Sequence, residues 1–138
     1  MIEFFSENDF AMSHENEVRT WIETIIAKAG YETGDISFVF CSDQYLLELN
    51  KQYLNHDTYT DIITFDYSLD KEVHAEIYIS TDRVAENRER FSSSFEDELH
   101  RVIIHGILHC CGYGDKSETS KKAMRKAEDA ALQLRSFL

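Results

Sequence analysis

Proline is absent from the 138 residues, and glycine occurs only at Gly30, Gly34, Gly106, Gly112 and Gly114. A chain so poor in both contains no flexible linker and no low-complexity tract. Cysteine is scarce and odd in number, with Cys41, Cys110 and Cys111, which argues against a disulfide framework and fits a reducing compartment. Basic residues are in deficit: 14 Lys and Arg face 26 Asp and Glu, for a formal net charge of −12. This balance excludes a protein that grips nucleic acid over its whole surface, because phosphate binding rests on Lys and Arg; any such contact must be local. No apolar run approaches membrane-spanning length, and Glu3, Glu7 and Asp9 stand where a targeting leader carries basic residues. The expectation is a soluble, cytoplasmic protein without membrane association.

The residues that are present suffice for one core: 43% are hydrophobic and 12% aromatic. At this length that composition predicts a single domain spanning 1–138. An early strand is expected around Ile2 to Phe5. After the polar Ser13, the spacing of Val18, Trp21, Ile22, Ile25 and Ile26 predicts a helix that ends near Gly30. The run from Ile36 to Cys41 reads as a buried strand, and Ser42 or Asp43 can cap a helix through Tyr45, Leu46, Leu49 and Tyr53. Two β-rich segments follow, Ile62 to Tyr67 and Val73 to Ser80, with a turn at Ser68 to Lys71, and they are expected to pair as a hairpin. Helical composition then takes over, from about Thr81 to Arg90, from Phe95 to Cys111, and from Glu118 to the end. The predicted fold class is α+β: one mixed sheet packed against helices, with its functional site on the long helix of the C-terminal half and the turn after it.

That site begins with His105 and His109. Four residues apart on a helix, their imidazoles share one face and can converge on a single ion. The spacing alone is not sufficient, but the sequel, Cys110-Cys111-Gly112-Tyr113-Gly114-Asp115, has two glycines that stop the helix and can turn the chain back. Alone, Asp115 would read as a turn residue or a cap; after the histidines it becomes a natural third metal ligand. Two imidazoles and one carboxylate leave a position open for water, the arrangement of a catalytic site and not of a closed structural one. Cys110 and Cys111 point away from the ligating face and are expected to be packed. His100, about 140° around the helix from His105, is expected to be packed or solvated outside the site. Glu98 and Arg101 share the His105 face, two turns and one turn earlier respectively, where supporting or phosphate-binding roles are open to them. Asp61, Glu76 and Glu98 are candidates for proton transfer. A His-Glu-x-x-His motif is missing, since Gly106, Ile107 and Leu108 fill the gap, so a metalloprotease would lack its general base.

The segment His105-Gly106-Ile107-Leu108-His109 followed by Gly112-Tyr113 resembles the His-Gly-x-Leu-His-x-x-Gly-Tyr hallmark of the YbeY-type rRNA maturation factors. Thr60-Asp61-Ile62-Ile63-Thr64-Phe65 is similar to that family's Thr-Asp-Val-Leu-Ser-Phe block, and Ala75-Glu76-Ile77-Tyr78-Ile79-Ser80 to its Gly-Asp-Ile-x-Ile-Ser strand. Leu49-Asn50 before Tyr53 fits as well. The resemblance implies a single-strand-specific, metal-dependent endoribonuclease acting in rRNA maturation, at the 3′ end of 16S rRNA, and in ribosome quality control. With the residue reading it gives one zinc ion per chain on His105, His109 and Asp115, and that residue reading adds Glu98, Arg101 and Asp61 as the expected catalytic residues. The implied partners are ribosomal RNA or the ribosomal subunit and a protein helper; DNA is not expected. Other readings are a ribosome-associated assembly protein with a structural metal, or a metal-dependent hydrolase of another substrate. The chain departs from the family pattern at three places: Asp115 stands for a third histidine, Leu54 for an arginine and Tyr59 for a proline. The missing arginine would leave a phosphate contact to His56 or Arg101.

Overall fold

Alternation is clearest in the segment Glu72–Ser80, where Val73, Ala75, Ile77 and Ile79 are buried and Glu76 is exposed. In a pleated strand that pattern places four apolar side chains on one face, and the rest of the fold is built on this face. The computed structural model describes residues 1–138. Its elements are β1 (Ile2–Ser6), α1 (Glu15–Lys28), β2 (Glu32–Cys41), α2 (Asp43–Leu54), β3 (Ile62–Asp66), β4 (Glu72–Ser80), α3 (Thr81–Arg90), α4 (Phe95–Cys110) and α5 (Glu118–Gln133). The strands form one mixed sheet in the order β1-β2-β4-β3. β1 and β2 are parallel, as are β2 and β4, while β3 and β4 form the expected antiparallel hairpin. Register aligns Phe4, Phe38, Ile77 and Thr64 as one row across the sheet.

Two helices cover the core face. α1 contributes Val18, Trp21, Ile22, Ile25 and Ile26, all buried, and α4 contributes Leu99, Val102, Ile103 and Ile107. On the opposite face α2 seats Leu46 against Cys41 and Ile63 in a smaller cluster. Gly106 lets α4 lie close to the sheet, since a Cβ there would stand 3.0 Å from Ile62 Cδ1 and 3.3 Å from Ile77 Cδ1. The neighbouring His105 is thereby held at the sheet's edge by the tight seating of its own helix.

Serine begins four of the helices. Ser42, Ser80, Ser94 and Ser117 each accept a backbone N–H of the first turn, satisfying a donor that the helix cannot. α1 differs: His14 precedes it in a left-handed conformation without a side-chain cap, and Glu15 and Glu17 supply negative charge to the first turn instead. β2 begins at Glu32, four residues before the expected Ile36, because Glu32 and Thr33 pair with Glu72 and Val73 across a register shift. The polar Gly34-Asp35 step at that irregularity hides the extension from any apolar pattern. No helix is long and apolar enough to cross a membrane.

Candidate active site

α4 carries the central histidines to the turn that follows it. Gly112 takes φ of 95°, a backbone state open to glycine without strain. The chain reverses there, with Gly112 N–H donating to His109 O at 3.1 Å and Tyr113 N–H to Leu108 O at 3.0 Å. Gly114 does not share the positive φ, so Gly112 alone makes the reversal. Asp115 returns to α4 as a result, and its Oδ2 lies 3.5 Å from His105 Nε2.

The other face of the His105 ring is held more tightly. His105 Nδ1 lies 2.8 Å from Glu128 Oε2 on α5, and Glu128 Oε1 accepts from Arg101 Nη1 at 2.9 Å. Arg101 Nη2 donates to Asp129 at 2.7 Å. Glu128 is buried to 5% exposure, so its charge rests on these two partners instead of on water. Its hydrogen bond is the main reason that the His105 pKa is raised, against the opposing effect of burial. With Nδ1–H directed at Glu128, the ring would offer Nε2 to an ion on the Asp115 side once its second proton is displaced, the usual outer support of a metal-ligating histidine.

The donor chemistry therefore suits a divalent ion: one imidazole pre-oriented through its far nitrogen, one carboxylate beside it, and a second imidazole one turn on. His109 is exposed and makes no side-chain hydrogen bond. No three His, Cys, Asp or Glu side chains are gathered as a ready-made ion cage. His105 and Asp115 meet; His109 stands apart from them with its ring free.

A cavity of about 230 Å³ opens beside His105, lined among others by Asp61, Glu98, Arg101, Arg125 and Glu128. Burial raises the carboxyl pKa values of both Asp61 and Glu98; His105 opposes the rise at Asp61 and Arg101 opposes it at Glu98. The Asp61 carbonyl accepts from Ser80 N–H at 3.0 Å, which fixes the loop end against β4. Glu76 lies elsewhere, exposed and bonded to Tyr67 Oη at 3.3 Å. Leu54 ends α2 in solvent, and His56 lies in the exposed loop after it. Arg101 spends both terminal nitrogens on internal carboxylates. Glu128 had no motif to mark it; the available signal was a carboxylate set between Met124 and Ala131 on the apolar stripe of α5, which requires a cationic partner.

The cysteines are packed as expected: burial pushes the Cys110 thiol up to about 12 and that of Cys111 to about 11, far from thiolate chemistry. His100 is packed too, at 1% exposure, with Trp21 and Phe137 rings 5.6 and 5.5 Å away and Arg135 Nη1 2.8 Å from its Nδ1. Burial, then Arg135, holds its pKa down at about 4. The unfolded chain binds a proton here below about pH 6.5 and the folded one only near 4, so stability falls as pH drops through that window. Denaturant titrations at pH 7 and 4.5 are expected to show a loss at this group of about 2 kcal/mol, absent in His100→Leu. An equal acid loss in that variant would exclude His100 as the source.

Residues 3–135 match the family described as Endoribonuclease YbeY. The chain is 51% identical over 133 residues to the Endoribonuclease YbeY of Christiangramia forsetii, covering 96% of this chain and 93% of that one. It is 51% identical over 134 residues to the protein of the same name from Flavobacterium psychrophilum, with coverages of 97% and 96%. A solution structure of a Thermotoga maritima protein superposes with a TM-score of 0.72 at 30% identity, covering 96% of this chain and 87% of the other. Matched from its first strand through its last helix, the chain belongs to the endoribonuclease YbeY family.

Proposed function

We propose that this protein, acting as one domain over 1–138, is a cytoplasmic endoribonuclease that hydrolyses phosphodiester bonds of single-stranded RNA in ribosomal RNA maturation. Its site is a single zinc ion held by His105, His109 and Asp115. The observation that carries this reading is the His105 ring, bonded at Nδ1 to buried Glu128 and facing Asp115 through Nε2. When bound, a divalent ion supplies Lewis-acid polarisation of a phosphoryl oxygen and makes water a better nucleophile at neutral pH.

The protein's own groups do the rest. Glu128 fixes the tautomer and angle of His105, and Arg101 holds Glu128 in place. Asp61 and Glu98 take and return a proton, a role supported by their position on the same cavity and by the burial that raises their carboxyl pKa values. The net charge of −12 repels RNA everywhere except at such a local site, so the intrinsic affinity is weak and falls with salt. Docking on the ribosomal subunit, aided by a protein partner, compensates for that weakness.

The test is cleavage of matched single-stranded and duplex oligoribonucleotides by zinc-loaded protein. The expected result is single-strand cleavage that chelation abolishes and zinc restores. Equal cleavage of both forms, or activity indifferent to chelation, would contradict the proposal.

A further inference from the structure

Of the three arginines along the open side of α4, two are committed to internal partners and one is not. Arg101 is held by Glu128 and Asp129 at 2.9 and 2.7 Å, and Arg135 by His100 and Asp97, both at 2.8 Å. Arg125 makes no hydrogen bond. Its nearest carboxylate oxygen is Glu128 Oε1 at 4.0 Å, on a group that already has two closer partners, and 64% of its side chain is exposed. Its planar fork of donors is therefore available to an outside anion, and phosphate matches it in shape and charge.

Across from it stands a side chain that folding has left wet. Phe91, at the C-terminal end of α3, is 61% exposed, and the Arg90 guanidinium lies 5.5 Å from its ring centroid. Phe91 and Arg125 both line the His105 cavity, and both also line an adjoining cavity of about 480 Å³ that continues to Arg135. Because the two cavities share Phe91, Glu98, Arg101 and Arg125, they form one trough leading away from His105. Asp97 is paired with Arg135, and Glu128 and Asp129 share Arg101, while Arg125 acts on Glu98 only at a distance; Arg125 is therefore the one arginine of the trough without a close carboxylate partner. An exposed aromatic ring with Arg90 over one face, beside a guanidinium that makes no hydrogen bond, offers what a single strand needs, since every base presents a flat face and every linkage a phosphate.

Resting on the reading of the substrate as single-stranded RNA, we propose that Phe91 and Arg125 form a nucleotide seat next to the scissile position, Phe91 stacking on a base and Arg125 binding the adjoining phosphate. The two contacts have different physical signatures. A phosphate contact releases counterions and sets part of the salt dependence, whereas stacking contributes affinity without changing that slope.

The experiment is fluorescence anisotropy of a labelled 2′-O-methyl oligoribonucleotide titrated with the full-length zinc-loaded protein at several salt concentrations. Arg125→Gln is expected to weaken binding roughly threefold to tenfold and to reduce the slope of log K against log salt by about 0.7. Phe91→Ala is expected to weaken binding roughly fivefold or more with the slope unchanged, and Phe91→Trp to restore it. Lys126→Gln, the same charge change one residue along α5 and outside the trough, is expected to leave affinity and slope near wild type. The seat is overturned if Arg125→Gln behaves like Lys126→Gln, or if Phe91→Ala binds like wild type. Wild-type protein that cleaves single strands while these variants bind normally would remove the seat alone; wild-type protein that neither binds nor cleaves RNA would remove the substrate reading with it.

Discussion

Replacing His109 by alanine is expected to lower RNA cleavage roughly a thousandfold or more while changing the unfolding free energy of the metal-free protein by less than about 0.5 kcal/mol. The two halves of this expectation come from different observations. The ring is exposed and without a hydrogen bond, so the folded state loses almost nothing when it is removed. As the second imidazole of the proposed ligand set it contributes to holding the ion, whose charge stabilisation is worth several kcal/mol in the transition state. A side chain that folding does not need and activity does is the mark of a ligand. The checks are single-turnover cleavage, zinc content per chain and a denaturant titration of the same protein after its metal is removed. Full zinc occupancy and unchanged cleavage in His109→Ala would remove His109 from the site and leave His105 and Asp115 to be completed by some other group.

Much of this arrangement was legible before any coordinates, and the reason lies in how local its signals are. The i, i+4 histidine pair, the stop after Cys111 and the return of Asp115 all fall within eleven consecutive residues, where helix geometry and the φ of one glycine decide the outcome. The hairpin of β3 and β4 was similarly readable from adjacent β-rich segments. What escaped was long-range. Glu128 lies 23 residues beyond His105, and nothing in its own neighbourhood tells which cation a carboxylate on the stripe of α5 will meet. The placing of β4 between β2 and β3 likewise depends on a parallel pairing over a crossover, which no turn chemistry announces. Arg101 is a middle case: helical periodicity alone sets it on the His105 face, whereas its commitment to Glu128 and Asp129 depends on where α5 packs.

That dependence on α5 makes Glu128 the most informative single position after the ligands. Its two oxygens are divided, Oε2 to His105 and Oε1 to Arg101. Glu128→Ala removes the acceptor that orients the ring, and zinc affinity is expected to fall roughly tenfold to a hundredfold, as it does when the outer partner of a metal-ligating histidine is lost. Glu128→Gln should fall between wild type and alanine, because an amide has one oxygen for two donors: whichever of His105 and Arg101 keeps it, the other meets an N–H₂. Both variants leave Arg101 its bond to Asp129, so the stability cost should stay at about 1–3 kcal/mol instead of that of a stranded buried charge. Competition titration with a chromophoric zinc chelator reads the affinity, and a denaturant titration of the metal-free protein reads the stability. If Glu128 acts only as packing, stability will drop and zinc affinity will not; if it orients His105, affinity will follow the order wild type, glutamine, alanine, and cleavage at limiting zinc will follow the same order and recover when the metal is raised.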